Sequence, residues 1–282
     1  MKKSQIIGLI TDFGVRGAHY VAAMKSVIKT INIEAEIIDI SHVIRPYSII
    51  EGAFMLFYSL TDLPSGSIVI SVIDPTVGTD RKIIAVRTSR DNIIIGPNNG
   101  LFTLISEKFN IKDLYEVSNQ LLFYFGTTDN REISTTFHGR DIMASVAAHL
   151  SKGVTIESVG TKLKNEDIVI EERLKKPEFK NDRWFFTVLF TDEFGNIVTN
   201  IEKKDFLPYI KNIFTITAEK IFEAKYAATF ADISDGYLGL IAGSSDFVEI
   251  CKKNGSAAEI LSFPKPGSEL ELNISNKTDI NH

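Results

Sequence analysis

Four clusters of polar and charged residues in this sequence have types and spacings that could do chemistry. They are Asp12-Phe13-Gly14, Asp74-Pro75-Thr76-Val77-Gly78-Thr79, Gly96-Pro97-Asn98-Asn99-Gly100 and Thr136-Phe137-His138-Gly139-Arg140-Asp141. The first three each follow an apolar run with the pattern of a strand, and the fourth stands just before a helical pattern. Ligands of open α/β sheets bind beyond the carboxyl ends of the strands. The pattern therefore indicates that carboxylate, arginine and histidine side chains gather near one sheet edge.

Each cluster also has a purely structural interpretation. Asp12 is as well suited to cap a helix or form a turn as to bind a ligand. Asp74-Pro75 can simply shape a turn, and Pro-Asn-Asn-Gly is itself a turn signature. His138 can be a satisfied structural histidine, and Arg140-Asp141 a surface pair or a cap. The residues taken one by one leave these alternatives open.

Several common catalytic and binding motifs are absent from the sequence. The five histidines are scattered and show no ligand spacing, so we predict no metal site. There is no Gly-x-Gly-x-x-Gly and no Walker sequence, so a cradle for a dinucleotide or a triphosphate is not indicated. The absence of Gly-x-Ser-x-Gly counts against a serine hydrolase.

The elements that must position these residues alternate between strands and helices in the first half of the chain. The near-continuous apolar run Ile6–Ile10 suits a central parallel strand covered on both faces. Helical spacing of apolar residues predicts a helix over Ala18–Ile31. Further predicted strands are 35–40, 67–73, 83–87 and 92–95, with further helices opening at Pro46 and over 141–150. This alternation predicts an α/β domain with a mostly parallel sheet over residues 1–170.

The second half of the chain has a different pattern. Lys, Glu, Asp and Asn dominate residues 161–182, and Pro177 interrupts them, which predicts a linker. Short apolar runs separated by Gly, Asp and Asn then predict a smaller all-β domain over residues 183–276, either an antiparallel barrel or a sandwich. The predicted strands are 184–191, 197–201, 213–218, 236–242, 247–251 and 270–274.

The composition excludes several classes of partner. A net charge of −5 over 282 residues provides no basic field for a nucleic-acid backbone or an anionic membrane surface. No run approaches the roughly 20 apolar residues that span a bilayer, and the N-terminal run is too short for a signal-peptide core. Cys251 is the only cysteine, so no intrachain disulfide can form. We expect a soluble, cytoplasmic protein.

Taken together and in order, the clusters resemble the S-adenosylmethionine hydroxide adenosyltransferase family, relatives of the fluorinases and chlorinases. The similarity is carried by Thr11-Asp12-Phe13-Gly14, Met24-Lys25, Asp39-Ile40-Ser41-His42, Asp74 through Arg81, Pro97-Asn98-Asn99-Gly100, Phe137 through Asp141, Asp192 through Asn196 and Thr199-Asn200-Ile201. These motifs run over nearly the whole chain. Thr76 stands where the family usually has glycine, Asn98 where it usually has aspartate, and Gly243 where asparagine usually precedes a serine.

The resemblance implies a set of substrate contacts and an assembly. It implies that Asp12, with Phe13 beside it, binds the ribose hydroxyls, since a carboxylate can accept from two vicinal O–H groups. It also implies a homotrimer in which a neighbouring subunit supplies residues for the methionine part and for adenine. The residues to which this applies are Asp192, Phe194, Asn196 and Ser244.

The activity implied by the resemblance is hydrolysis of S-adenosyl-L-methionine to adenosine and L-methionine. No cofactor is implied, because S-adenosylmethionine is the substrate. The family's water-activating set falls on Asp74, Arg81 and His138. Arg81 is permanently cationic and can stabilise hydroxide character, His138 can relay or accept a proton, and Asp74 can orient one of them.

Three rival functions stay open at this point. One is an S-adenosylmethionine-dependent halogenase, although the short connection between Ile84 and Ile95 leaves no room for the extra loop that a fluorinase resemblance implies. The second is a non-catalytic sensor that binds adenosine or S-adenosylmethionine, which would need none of the three water-activating residues. The third is a nucleoside or nucleotide hydrolase, which would release a free base.

Overall fold

The chain divides into two compact units. The computed structural model describes residues 6–126 and 132–275. The first unit ends at Glu171 and the second begins at Glu172, so the division falls inside the charged stretch that we predicted as a linker.

The first unit is built on one mixed sheet. Its described strands are β1 (Ile6–Thr11), β2 (Glu36–Ser41), β3 (Ile68–Val72), β4 (Ile83–Thr88), β5 (Ile93–Pro97), β6 (Ile111–Val117) and β7 (Gly160–Lys162). They lie in the order β2-β1-β3-β5-β4-β6-β7. Strands β2, β1, β3 and β5 are parallel, as the apolar runs predicted. Strands β4, β6 and β7 continue the sheet in antiparallel pairs, and of these three only β4 was predicted from the sequence.

Helices cover this sheet through apolar side chains at helical spacing. The longer helical segments are α1 (Ala18–Ile31), α2 (Ile49–Asp62), α3 (Thr103–Lys108), a π-helical segment (Gly139–Ala144) and α4 (Ser145–Ser151). Helix α1 has the predicted bounds and buries Val21, Met24 and Ile28 in the core of the unit. The α/β architecture is therefore confirmed for the first unit.

Pro46 does not lie in the first turn of α2, contrary to our prediction. Ser48 caps this helix, with its hydroxyl accepting from the Glu51 N–H at 3.4 Å. Tyr47 has a φ of 67°, which is incompatible with a helical turn, so the helix begins only after it. Pro46 and Tyr47 instead form a loop that reaches the cavity described below.

The second unit is a closed barrel. Its strands are β8 (Glu178–Lys180), β9 (Arg183–Thr191), β10 (Ile197–Glu202), β11 (Ile213–Thr217), β12 (Ile221–Tyr226), β13 (Leu238–Ala242), β14 (Phe247–Cys251) and β15 (Glu269–Ser275), with short helices α5 (Lys203–Phe206) and α6 (Ala257–Ile260). Seven of them close in the order β10-β14-β13-β12-β11-β15-β9, because β9 also pairs with β10. The structure thus selects the barrel over the sandwich. Its core includes Trp184, Phe186, Phe206 and Phe214, each almost fully buried.

The predicted linker over 161–182 is partly ordered structure. Strand β7 includes residues 161 and 162, and β8 pairs with β9 at the edge of the second sheet. Both strands are only three residues long and lie at sheet edges, where charged side chains can face solvent. Composition alone therefore predicted a linker where short edge strands stand.

Short 3₁₀ turns connect several of these elements. They are Val15–Gly17, Gln120–Leu122, Ile156–Val159, Asn165–Asp167, Glu172–Leu174, Leu207–Tyr209 and Phe230–Asp232. Within the described ranges, no helix has the length and apolar character needed to cross a membrane.

Candidate active site

A cavity of about 330 Å³ lies at the carboxyl ends of β1 and β3. Four stretches of the first unit build its wall: the turn after β1, the loop before α2, the end of β3 with the turn after it, and the residues that lead into the π-helical segment. The lining residues are Asp12, Phe13, Pro46, Tyr47, Val72, Asp74, Val77, Thr136, Phe137, His138 and Gly139. The edge of the parallel strands thus brings together three of the four polar clusters, those that begin at Asp12, Asp74 and Thr136.

An arginine links two of the lining residues. Arg81 Nε lies 3.0 Å from Asp74 Oδ1 and 2.9 Å from Asp74 Oδ2, and Nη2 also donates to Oδ2. The same Nη2 lies 2.9 Å from His138 Nδ1. The side chains of Asp74 and Arg81 are only 5% and 9% exposed. The predicted water-activating residues therefore form one connected group of two buried side chains and the half-buried His138, in which Arg81 contacts the two lining residues without lining the cavity itself.

The contact with Arg81 determines the protonation state of His138. A guanidinium has only donors, so His138 Nδ1 must accept from it and the ring proton must sit on Nε2. Burial, with the Arg81 charge second, holds the pKa of His138 below its usual value, while Asp74 and Asp141 act in the opposite direction. Near neutral pH the ring is therefore uncharged and offers one N–H donor.

Asp12 is held across the fold and caps no helix. Its Oδ2 accepts from the Tyr47 N–H at 2.8 Å, a bond between residues 35 apart in the chain. The 3₁₀ turn at Val15–Gly17 and helix α1 are preceded by Gly14 and Gly17 and have no side-chain cap. Burial raises the pKa of the Asp12 carboxyl, the Asp74 charge adds to this, and backbone hydrogen bonds from Tyr47 and from Asp12 itself act against it.

Aromatic rings and a close glycine contact shape the rest of the wall. Phe13 packs against Tyr20 and Phe137, with ring centroids 5.5 and 6.1 Å away. A Cβ on Gly139 would lie 3.2 Å from Val72 Cγ1, so glycine lets the π-helical segment approach the end of β3 closely. This approach sets His138, the preceding residue, beside the turn after β3.

Asp141 is a buried anchor, which excludes the surface pair considered from the sequence. It is 1% exposed, and its Oδ2 accepts from the Ser134 N–H at 2.8 Å. Arg140 Nε donates to its Oδ1 at 2.5 Å. These bonds tie the stretch before His138 to the helix that follows it.

The Pro-Asn-Asn-Gly cluster is structural and does not line the cavity. Asn98 donates from Nδ2 to the Asp167 carbonyl at 2.8 Å and accepts from the Val169 N–H at 2.9 Å. An aspartate could not make the first of these bonds, which gives a physical reason for asparagine at this position. Asn99 donates to the Ile73 carbonyl at 3.0 Å, next to Asp74.

In the barrel, the turn between β9 and β10 is held by its own side chains. Asp192 Oδ1 accepts from the backbone N–H groups of Phe194 and Asn196 at 2.9 and 2.8 Å. Asn196 Nδ2 donates to Asp192 Oδ2 at 2.8 Å, and Phe194 is 80% exposed at the tip. Gly195 has a φ of 80° and packs onto Ser256, where a Cβ would lie 2.0 Å from the hydroxyl oxygen.

Ser244 lies in the turn that joins β13 to β14, and Glu249 on β14 is close to both parts of this region. A Cβ on the preceding Gly243 would lie 2.0 Å from Glu249 Oε1. Burial, followed by the Asp192 charge, raises the pKa of the Glu249 carboxyl. Within the barrel, the region that contains Asp192 thus has a second carboxylate.

Comparison with known proteins identifies the family. Residues 7–160 match the SAM hydroxide adenosyltransferase N-terminal domain, and residues 186–270 match the C-terminal domain of the same family. The chain belongs to the SAM hydroxide adenosyltransferase family.

Relatives of this chain match it over almost its whole length. The (R)-S-adenosyl-L-methionine hydrolase of Methanocaldococcus jannaschii is 35% identical over 268 residues, which are 91% of each chain. A crystal structure of an uncharacterized conserved protein from Thermotoga maritima is 36% identical with a TM-score of 0.85, and the match covers 95% of this chain and 99% of that one. The fluorinase of Nocardia brasiliensis is more distant, at 27% identity over 82% of this chain and 84% of its own.

Several residues that line the cavity were not predicted as site residues from the sequence. Tyr47, Val77 and Thr136 line the cavity together with the expected residues. Val77 and Thr136 lay within two of the four clusters but were not assigned as site residues, whereas Tyr47 lay outside all four. Glu249 was missed as well, because an isolated glutamate in a strand pattern gives no signal without its partners in space. Within the described parts of the chain, no three His, Cys, Asp or Glu residues are grouped so as to hold a metal ion.

Proposed function

We propose that this protein hydrolyses S-adenosyl-L-methionine to adenosine and L-methionine by attack of water or hydroxide on ribose C5′. The observation that carries the proposal is the connected Asp74–Arg81–His138 group at the wall of a cavity large enough for a small molecule. The name of the Methanocaldococcus jannaschii relative supports the same reaction.

The proposed step needs a nucleophile more than it needs a better leaving group. The oxygen forms a bond to C5′ while the C5′–S bond breaks. The electron pair of the C5′–S bond passes to sulfur, which leaves as the neutral thioether of methionine. One proton of the water is lost to solvent. The sulfonium already activates the carbon, so the proposed reaction requires no cofactor.

The three residues can stabilise the hydroxide character of the attacking oxygen. The positive charge of Arg81 lies next to both Asp74 and His138, and Asp74 holds the guanidinium in place from two directions. The neutral His138 ring has its Nε2–H available as a donor to the oxygen. Donation from Nε2–H and the positive charge of Arg81 favour loss of a proton from the bound water, because both interactions are stronger with hydroxide than with water.

Asp12 and Phe13 are proposed to bind the adenosine part. Asp12 is a partly desolvated carboxylate at the cavity wall, and the Tyr47 N–H bond fixes its orientation. Such a carboxylate forms strong hydrogen bonds with two vicinal ribose hydroxyls.

The methionine part and the adenine are proposed to contact a neighbouring copy of the chain, in a homotrimer. The family resemblance supports this assignment of Asp192, Phe194, Asn196 and Ser244, and the exposure of Phe194 suits a contact residue. Light scattering should give about three chains per particle. Mixing inactive His138→Ala and Asp192→Ala chains should restore part of the activity, and failure to do so in mixed oligomers would reject the shared site.

The substrate is proposed to carry the (R) configuration at sulfur. The sulfonium has three different carbon substituents and is therefore a stereocentre, and the name of the Methanocaldococcus jannaschii relative specifies this epimer. Separate assays with the two epimers should show preferential turnover of (R)-S-adenosyl-L-methionine.

The decisive experiment uses ¹⁸O-labelled water. We expect the label in the 5′-hydroxyl of adenosine, with methionine formed in equal amount. Release of adenine would indicate a nucleoside hydrolase, and binding without turnover would indicate a sensor. Formation of a 5′-halo-5′-deoxyadenosine as the main product in saturating halide would identify a halogenase. The structure argues against that class, because the turn between β4 and β5 is tight and lacks the additional loop that the fluorinase resemblance implies. In this turn the Asp91 N–H donates to the Thr88 carbonyl at 2.9 Å.

A further inference from the structure

The turn that carries Asp12 is held in two places by one residue outside the cavity wall, His42. Thr11 Oγ1 lies 3.0 Å from His42 Nδ1, and the Gly14 N–H donates to the His42 carbonyl at 2.7 Å. Asp12 lies between these two attachment points. His42 does not line the cavity, and the reaction proposed above gives it no part.

An irregularity in the sheet directs His42 toward this turn. Along β1 and β2, Leu9 pairs with Asp39 but Ile10 pairs with Ser41, so Ile40 is an additional residue on β2. Bulges of this type bend a strand and redirect its side chains, and they are common next to active sites. Glycine at position 8 accommodates the bulge, because a Cβ there would lie 2.6 Å from Ile40 Cδ1.

A chain of charged residues sets the orientation of the His42 ring. Its Nε2 is shielded from solvent and lies 3.1 Å from Asp39 Oδ1, in a geometry outside that of a regular hydrogen bond, while Lys25 Nζ lies 2.6 Å from Asp39 Oδ2. Burial acts to raise the pKa of the Asp39 carboxyl, but its contacts with Lys25 and His42 outweigh burial and lower that pKa. A carboxylate facing Nε2 favours the proton on that nitrogen, which leaves Nδ1 to accept from the Thr11 hydroxyl.

The direction of these bonds continues into the turn itself. Thr11 is fully buried, and its hydroxyl oxygen accepts from the Phe13 N–H at 3.4 Å. With His42 as acceptor for the hydroxyl proton, the oxygen lone pairs of Thr11 face the backbone of the turn. Each group from Lys25 to Phe13 therefore has a donor or acceptor role set by the preceding one.

We propose that His42, oriented by Lys25 and Asp39, is a positioning residue that fixes the Thr11–Gly14 turn so that the Asp12 carboxylate is preorganised for the ribose. This inference rests on the proposed function, because it assigns His42 a role through the ribose-binding residue. It is not a catalytic residue, since it contacts neither the cavity nor the proposed reacting atoms.

The test measures adenosine affinity by calorimetry and steady-state turnover for a set of variants. His42→Ala should weaken adenosine binding about fivefold to tenfold, the effect of losing one or two net hydrogen bonds. It should raise KM by a similar factor with kcat changed less than about twofold, because the ribose contact is present before and during the reaction. His42→Asn, which keeps an acceptor near the Nδ1 position, should recover most of the affinity. Thr11→Val, nearly equal in shape, should reproduce the loss.

A double-mutant cycle with Asp12 distinguishes positioning from a general structural role. In the Asp12→Ala background, His42→Ala should weaken adenosine binding less than about twofold, because the group it positions is gone. His149→Asn, a half-buried histidine of α4 outside the cavity, is the matched control and should leave affinity unchanged.

The outcomes separate this inference from the proposed function. Additive effects in the cycle, or a fall in kcat alone, would overturn the role of His42 while Asp12 could still bind ribose. A wild-type protein that does not bind adenosine would overturn both. If His42→Ala does not fold, the cycle is run with Thr11→Val in its place, and the same comparison decides.

Discussion

The site carboxylates of the two units, Asp74 and Asp192, differ in how far along the chain their hydrogen-bonded partners lie. Asp74 in the first unit pairs with Arg81, which in turn reaches His138, 57 residues further along the chain. Asp192 in the barrel is satisfied by groups within four residues of itself, from Phe194 and Asn196. The first arrangement exists only when the connection between β3 and β4 has docked against the residues before the π-helical segment, whereas the second is a property of one turn. Substitutions should therefore have different consequences in the two units.

The largest effect is expected from Arg81→Met. The change leaves the Asp74 carboxylate buried without its cation, and breaking a buried pair in this way typically costs about 3–5 kcal/mol. The free energy of unfolding, measured with denaturant and circular dichroism, should fall by this amount. Arg87→Met, which breaks the more exposed pair with Asp113, is the control and should cost no more than about 1 kcal/mol. Equal losses of unfolding free energy in Arg81→Met and Arg87→Met would show that burial of the Asp74–Arg81 pair does not make it more important for stability than the exposed pair.

His138→Ala should come next, as an effect on turnover and not on stability. Removal of one preorganised donor typically lowers kcat by about 10²- to 10³-fold. Adenosine affinity should change much less, since the donor acts mainly on the attacking oxygen. Unaltered turnover in a folded variant would return His138 to a structural role.

Asp12→Ala should reduce adenosine affinity by about tenfold to a hundredfold. Hydrogen bonds to a charged group are worth about 1.5–3 kcal/mol, and each 1.4 kcal/mol is a factor of ten. Calorimetry measures this directly, and Asp91→Asn, in the exposed turn between β4 and β5, should have no effect. Unchanged affinity in a folded Asp12→Ala protein would reject the ribose contact.

The pH dependence of kcat should show a smaller, graded effect. His138 must be neutral to accept from Arg81, and its pKa is lowered by burial and by the Arg81 charge. Turnover should therefore be constant from neutral pH down through about 6.5, the ordinary histidine value, and fall about tenfold per pH unit only below the lowered pKa. His138→Gln should lose this acidic limb. A limb centred above 6.5 in the wild type would contradict the neutral assignment.

Phe194→Ala should have the smallest effect on the free energy of unfolding. It provides a substitution in the barrel to compare with those in the first unit. The ring is 80% exposed, and substitutions of this kind usually change stability by less than about 0.5 kcal/mol. Weaker substrate binding without loss of stability is expected if the ring contacts substrate. Unchanged binding would leave Phe194 without a role in the site.

The two units also differ in how far the sequence predicts them. Strand β1 and helix α1 were predicted closely, because a short unbroken apolar run is typical of a buried strand and a regular helical spacing of apolar residues is typical of a helix. The tight turn expected at residues 89–91 is also present, and so short a connection can join only antiparallel strands, as β4 and β5 are. Strand β12 was missed, because its alternation is weak and charged side chains interrupt it.

In the candidate sites, too, contacts between residues close in sequence are easier to predict than contacts between distant residues. The Asp192–Asn196 contact spans four residues and is contained in the sequence of one turn. The positions of the polar clusters at strand ends predicted that Asp74, Arg81 and His138 lie near one sheet edge, but the direct contacts among them depend on how the first unit folds. The contacts of His42 likewise depend on the bulge in β2, which the sequence pattern does not reveal.

The π-helical segment after His138 makes the site depend on the number of residues as well as on their types. A π-helical turn corresponds to an α-helix with one residue inserted, and such insertions are frequent at functional sites. Each α-helical residue rotates the chain by about 100°. Deletion of a single residue from Gly139–Ala144 would restore a regular helix and swing the imidazole away from Arg81. A homologue could therefore retain every site residue of this unit and still lose the reaction through one missing codon.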